Sequence, residues 1–239
     1  MNKVLKIASL LLSYPTQELQ DEISAIVTVL NDEPLASRQR KQLIKLARDI
    51  AALGLYDAQE RYVFLFDRTR TLSLHLFEHV HGESRDRGQA MVDLKDMYEA
   101  QDFEINAKEL PDYLPLFLEY LSTCPPSEAH ELLGQTKHIL TVLRERLKKR
   151  KSVYALAFDV LEKLAAGNVE KRLIDELLHQ LDDDPNDLEA LDRVWEEEVV
   201  TFGGNAGENS CGPDRIQRQI RAAARKVPVP DTIQSAREV

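Results

Sequence analysis

Cysteine is nearly absent: Cys124 and Cys211 are the only two in 239 residues, they lie far apart, and neither belongs to a C-x-x-C pair. Two isolated thiols are too few for an iron–sulfur cluster or a structural zinc site, and they offer no disulfide framework. Glycine (9) and proline (10) are sparse and aromatic residues make up only 6%. Cations are in deficit, with 31 Lys+Arg against 41 Asp+Glu, a net charge of −10. That balance excludes a general nucleic-acid binder, whose phosphate contacts need surplus positive charge. There is no apolar run of ~20 residues to cross a bilayer, so no stable membrane insertion is expected. Lys3 and Lys6 precede Ile7 to Leu12 in the manner of a signal peptide. The apolar stretch is too short, however, and Ser13, Tyr14 and Pro15 close it without a small-residue cleavage site, so the expected location is cytoplasmic. No P-loop, dinucleotide fingerprint or nucleophile elbow occurs, which leaves nucleotide chemistry and serine hydrolysis without an anchor.

What is present is a helix-forming composition: 43% hydrophobic and 30% charged residues, rich in Leu, Ala, Glu, Lys and Arg. Apolar residues recur at helical spacing along most of the chain. Val4, Ile7, Ala8 and Leu11 form the first stripe. Thr16 can cap a second, carried by Leu19, Ile23, Ile26, Val27 and Leu30. Leu43, Leu46, Ala47, Ile50 and Ala51 form a third, for which Gly54 offers a left-handed C-terminal residue. Asp57 and Glu60 have capping-box spacing for a fourth. Ala90, Leu94, Met97 and Tyr98 give another face, and Tyr113, Phe117, Tyr120 and Leu121 the next. Ser127 opens a long stripe reaching Leu147. Two further helices follow, before Gly167 and from Val169 to Leu181. Leu188, Leu191, Trp195 and Val199 form a short apolar face opposite Glu196, Glu197 and Glu198. No alternating strand pattern appears. The expected fold is all-α: one globular domain of about ten helices over residues 1–202, with a mobile C-terminal tail over 203–239.

Chemistry-bearing side chains concentrate between Tyr62 and Met91, where three of the six histidines fall within seven residues. His75, Glu78 and His79 spell H-x-x-E-H, in which two imidazoles one helical turn apart can bind zinc beside a carboxylate that activates water. A zinc-dependent hydrolase is the alternative reading, though such enzymes use mixed sheets that this sequence does not offer. Structurally, the histidines can instead bond nearby carboxylates, with Asp67, Glu78, Glu83 and Asp86 balanced by Arg68, Arg70, Arg85 and Arg87, fixing a bend between helices. Functionally, those groups with His75, His79 and His81 can line a groove that reads a partner peptide. In Glu109-Leu110-Pro111-Asp112-Tyr113, Pro111 and Asp112 suit a helix start, and Glu109 and Asp112 equally offer carboxylates to a basic peptide.

Phe66-Asp67-Arg68, Ser73 to Met91, Glu109 to Ser122 and Val194-Trp195-Glu196-Glu197-Glu198 closely resemble the NarJ/NarW family of assembly chaperones of membrane-bound respiratory nitrate reductase, over nearly the whole chain to about Phe202. This family is similar to the wider TorD-like redox-enzyme maturation chaperones. Their Y-x-x-L-F signature is matched by Tyr62-Val63-Phe64-Leu65-Phe66. Of their E-P-x-D-H signature the chain keeps Glu109 and Asp112, moves the proline to Pro111, and has Tyr113 at the histidine position. The resemblance implies a non-catalytic, all-helical cytoplasmic chaperone with no catalytic or metal-ligating residues and no stably bound cofactor. It also implies the client: the N-terminal segment of the catalytic α subunit, within the apo α–β complex. The chaperone holds that complex competent for molybdenum cofactor insertion and membrane attachment, acting as a monomer or weak homodimer. The expected peptide contacts are Tyr62, Phe66 and Tyr113 for the apolar side, Asp67, Glu109 and Asp112 for cations, and Arg68, His75, Glu78, His79, His81, Glu83, Arg85, Asp86 and Arg87 around them.

Overall fold

The computed structural model describes residues 2–68, 70–80, 85–105, 109–168 and 171–179. The first helix, α1 (Asn2–Leu12), buries Val4, Leu5, Ile7, Ala8, Leu11 and Leu12. A helix that is apolar on nearly every side belongs at the centre, and α1 packs along α7 (Leu114–Thr123) while touching α3 (Ile23–Asp32), α4 (Ser37–Ala52) and α10 (Ala155–Leu164). Two polar groups set the α1–α7 register. The Asn2 amide donates to the Cys124 carbonyl at 3.0 Å, and the Ser9 hydroxyl donates to the Pro115 carbonyl at 2.7 Å. Residue 2 therefore sits beside 124 and residue 9 beside 115, so the two helices run antiparallel.

The remaining helices are α2 (Gln17–Asp21), α5 (Leu55–Phe66), α6 (Arg85–Glu99), α8 (Pro126–Gln135), α9 (Lys137–Lys149) and α11 (Lys171–His179), with short 3-10 turns at Arg70–Leu72 and Leu76–His79. Among the described residues the β structure is one isolated antiparallel bridge, His75 to Tyr113. The all-α expectation holds. The expected boundary at 202, the tail over 203–239 and the helix of Leu188 to Val199 lie outside the described residues.

Four local expectations are corrected. The stripe from Leu19 to Leu30 is two helices, because the chain breaks at Glu22 (φ −86°, ψ −2°); Thr16 caps the first, accepting from the Leu19 amide at 3.2 Å. The stripe from Ser127 to Leu147 is likewise two, α8 starting at Pro126 and breaking at Thr136 (φ −89°, ψ −1°). Gly54 is extended rather than left-handed (φ −58°, ψ 147°), and α5 begins beside it, which places Asp57 in the first turn instead of at the cap. The exposed carbonyls at the end of α4 are met from elsewhere: the Gln20 amide donates to Ile50 at 2.9 Å and to Leu53 at 3.1 Å.

Gly134, inside α8, is fixed by a close approach. A Cβ there would lie 2.8 Å from the Ala166 carbonyl oxygen, where the Ala166 amide bonds the His130 carbonyl at 3.1 Å. Alanine normally favours a helix interior over glycine by about 1 kcal/mol, but displacing packed backbone costs about 1–3 kcal/mol. Gly134→Ala is therefore expected to destabilise the protein by up to about 2 kcal/mol in chemical denaturation. A gain in stability would show that the α8 contact yields freely.

Candidate peptide-binding site

The two sequence-distant segments singled out above meet in the fold. Tyr62, on α5, and Tyr113, just before α7, join their hydroxyls at 2.7 Å. Tyr62 also donates to the Leu12 carbonyl at 3.0 Å. A phenol has one proton to give, so Tyr113 donates to Tyr62, and the relay ends at the last residue of α1.

Around that pair the bridge between His75 and Tyr113 is closed by backbone bonds, Leu76 amide to Asp112 carbonyl at 3.0 Å and Leu114 amide to Leu74 carbonyl at 2.8 Å. Asp112 is fully buried. One of its carboxylate oxygens lies 3.1 Å from His75 Nδ1, and the other accepts the Phe77 amide at 3.1 Å. A carboxylate only accepts, so His75 Nδ1 carries the proton. The expectation that Asp112 serves the start of α7 is thus corrected: that helix begins at Leu114, with Pro115 in its first turn, and the Asp112 carboxylate caps the 3-10 turn instead. Burial lowers the pKa of His75, but the hydrogen bond and charge of Asp112, aided by Glu78, outweigh it and the net shift is upward. The imidazole also lies over Tyr113, with ring centroids 5.5 Å apart.

The H-x-x-E-H segment is not an α-helical face, since His75 precedes a 3-10 turn and His79 ends it. His79 is buried and its Nε2 donates to the Ser73 carbonyl at 2.8 Å. Burial, opposed by that bond and assisted by the Arg146 charge, holds its pKa below the ordinary value. Its partner is backbone and that of His75 is Asp112, so the two rings do not converge on one point as the zinc reading requires. Among the described residues no group of three or more His, Cys, Asp or Glu side chains is placed to hold a metal ion.

The predicted surface network forms in part. Glu78 and Arg87 pair at 3.4 Å, Arg68 sits over the Phe64 ring at 5.8 Å, and Asp86 is exposed at the start of α6. His81 and Glu83 lie outside the described residues, as does the Arg85 side chain. Tyr62 and Phe66 are both only 3% exposed and pack on each other and on Tyr154. They form the floor rather than the surface.

The surface itself consists of half-buried Tyr113 and His75, with exposed Asp67 and Glu109 at the rim. Burial raises the Asp67 pKa first; His75 lowers it and Glu109 raises it. The Tyr113 hydroxyl is pushed up to about 12 by burial, against the Tyr62 hydrogen bond and with Glu109 and Asp67 adding to the rise. Both shifts place the two carboxylates in the same neighbourhood. Sequence reading missed Tyr14, which is 44% exposed and meets Tyr62 edge-on at 5.6 Å. It stood only as the residue that ends α1, although an aromatic directly before Pro15 is held extended and so projected off the helix end.

Residues 32–160 match the family described as nitrate reductase delta subunit. The chain is 44% identical to the nitrate reductase molybdenum cofactor assembly chaperone NarJ of Escherichia coli K12, over 92% of both chains. It is 41% identical to the probable nitrate reductase molybdenum cofactor assembly chaperone NarW of the same strain, over 84% of both. A redox enzyme maturation protein structure from Archaeoglobus fulgidus aligns with 68% of this chain and 92% of its own, at 19% identity and a TM-score of 0.49. Similarity of this extent to the bacterial chaperones, on an all-helical fold that joins the same two segments, means that the chain belongs to the nitrate reductase delta subunit family.

Proposed function

We propose that this protein is an assembly chaperone of a respiratory nitrate reductase, binding the N-terminal segment of the apo catalytic α subunit at the Tyr113–His75 surface. The observation that carries this reading is the 44% identity to a molybdenum cofactor assembly chaperone across 92% of both chains. The Escherichia coli relatives that match most of the chain are named as assembly chaperones, and a non-enzymatic role follows. The molybdenum cofactor is then cargo of the client, whose insertion this chain assists while it holds the α–β complex ready for membrane attachment. Among the described residues no helix is long and apolar enough to cross a membrane.

The site's physics supports a basic, amphipathic peptide. Tyr14, Tyr113 and His75 offer ring faces for apolar side chains. Asp67 and Glu109, which form no ion pair with a Lys or Arg among the described residues, supply attraction for cations. Titration calorimetry with a synthetic α-subunit N-terminal peptide tests it. Asp67→Asn with Glu109→Gln is expected to weaken binding by up to about 2 kcal/mol, since exposed rim charges contribute less than about 1 kcal/mol each. Thermal stability should be nearly unchanged. Tight binding indifferent to both substitutions would move the peptide off this surface, and no binding by the wild type would remove the α N-terminus as the client.

A further inference from the structure

We propose that the solvent face of α4 is an internal docking surface for the acidic segment 182–198 of the same chain. On α4, Arg38, Lys41, Lys45 and Arg48 are all exposed, and their spacing of three, four and three residues puts them in one stripe. None of the four forms an ion pair with another described residue. This is unusual in a chain with ten more acidic than basic residues. Three acids on or beside α3, α4 and α10 are answered by other cations: Asp49 by Arg61 at 2.5 Å, Glu33 by Lys3 at 3.6 Å and Asp159 by Lys163 at 2.7 Å.

The stripe is bordered by two concavities. One of about 540 Å³ lies between α4 and the first turn of α10, with Leu156 in its wall. The other, about 360 Å³, lies between the end of α3 and α4, with Ile44 in its wall. A ligand suited to this face carries many carboxylates and a few spaced apolar side chains.

Segment 182–198 has that composition. It holds nine acids (Asp182, Asp183, Asp184, Asp187, Glu189, Asp192, Glu196, Glu197 and Glu198) against one base, Arg193. Leu188, Leu191 and Trp195 recur within it at a spacing of three and four. The described core ends on α11, which packs on α9, and α9 and α4 both pack on α10. The Leu177 carbonyl of α11 accepts from Arg146, in the last turn of α9, at 2.7 Å, and α9 leads through residues 150–154 into the first turn of α10. Gln42 of α4 in turn donates to Asp159 of α10 at 2.6 Å, and Asp159 lies 3.6 Å from Arg144 of α9. Asp182 lies three residues beyond His179, a reach of about 10 Å when extended. Docking of the segment neutralises the α4 stripe and covers Leu156 and Ile44. It is independent of the client reading.

Trp195 is the only tryptophan, so its fluorescence in the full chain reports on the segment directly. Acrylamide quenching should be weaker than in a free peptide of residues 182–198. It should rise to the peptide's value in Lys41→Glu with Lys45→Glu, and rise partway in Lys41→Gln with Lys45→Gln or in about 0.5 M NaCl, where exposed charges are screened. Both positions are exposed, and an unchanged thermal transition confirms that the variants fold. Reversing Glu196 and Glu197 to Lys in the Lys41→Glu, Lys45→Glu background should restore protection. Peptide-like quenching in the wild type, or protection indifferent to α4 charge, overturns the proposal. Protection that grows with protein concentration overturns it too, by assigning the segment to a second copy.

Discussion

Asp112→Asn is expected to lower stability by about 1–3 kcal/mol at acidic pH and by less above neutrality, while Asp112→Ala costs about 3–5 kcal/mol. The carboxylate is fully buried and holds both the Phe77 amide and His75 Nδ1. An asparagine oxygen can keep the Phe77 amide, but its NH2 then faces His75 and forces Nδ1 to accept. The ring must become the neutral Nε2–H tautomer, and its raised pKa falls. The sign of the pH dependence follows from linkage. A histidine whose folded pKa lies above the unfolded value of about 6.5 contributes stability that is complete below pH 6.5 and is lost as pH rises through the folded value. The upward shift of His75 is of this kind, so wild type and Asp112→Asn should converge as pH increases. Alanine removes the carboxylate that accepts from the Phe77 amide at every pH. Denaturant unfolding at several pH values, together with the His75 ring titration by NMR, measures both effects; an Asp112→Asn variant with an unshifted His75 would sink the argument. Any change in client affinity in these variants would arise through displaced His75 and Tyr113.

Acidification acts in the opposite sense at His138. This ring is buried, its Nε2 has no hydrogen-bond partner, and burial followed by the proximity of His79 brings its pKa down to about 4. A depressed histidine contributes stability that is present above pH 6.5 and is lost as pH falls toward the folded value. At about 1.4 kcal/mol per pH unit, the loss between pH 6.5 and 4 is on the order of 3 kcal/mol. His79, also held low by burial, adds to it, because two neighbouring imidazoles cannot both ionise without water. His138→Leu removes the titration: it is expected to lose about 1 kcal/mol at pH 7, with the ring's hydrogen bond to the Gln135 backbone, yet to show a much flatter acid limb than the wild type. Parallel acid limbs in guanidinium melts would place the acid sensitivity elsewhere.

The stripes of α1, α4, α7 and α10 were legible because burial on one helix follows local spacing. The breaks at Glu22 and Thr136 were not, since the helical spacing of Leu19, Ile23 and Ile26, and of Leu132, Thr136 and Ile139, runs through both without interruption. Gly54 misled for a related reason. Its freedom suits a left-handed cap, but the carbonyls at the end of α4 are taken by Gln20, from thirty residues away or more. The same limit governs the site. The segments around Tyr62, His75 and Asp112 stood out by composition, yet nothing local assigns His75 to a carboxylate 37 residues on, or reveals that Tyr62 and Phe66 face inward. H-x-x-E-H shows the cost of assuming regular geometry, because a 3-10 turn sends its two rings in different directions.

The relay from Tyr113 through Tyr62 to the Leu12 carbonyl ties the site's aromatic floor to the end of the central helix, whereas Asp67 and Glu109 project from it with little internal engagement. Positions in this surface therefore differ in evolvability. Substituting Tyr62 or Asp112 spends folding stability, but the rim can change sign or size with the scaffold intact. Changes to this surface therefore cost the fold least at residues 67 and 109 and most at the clasp beneath them.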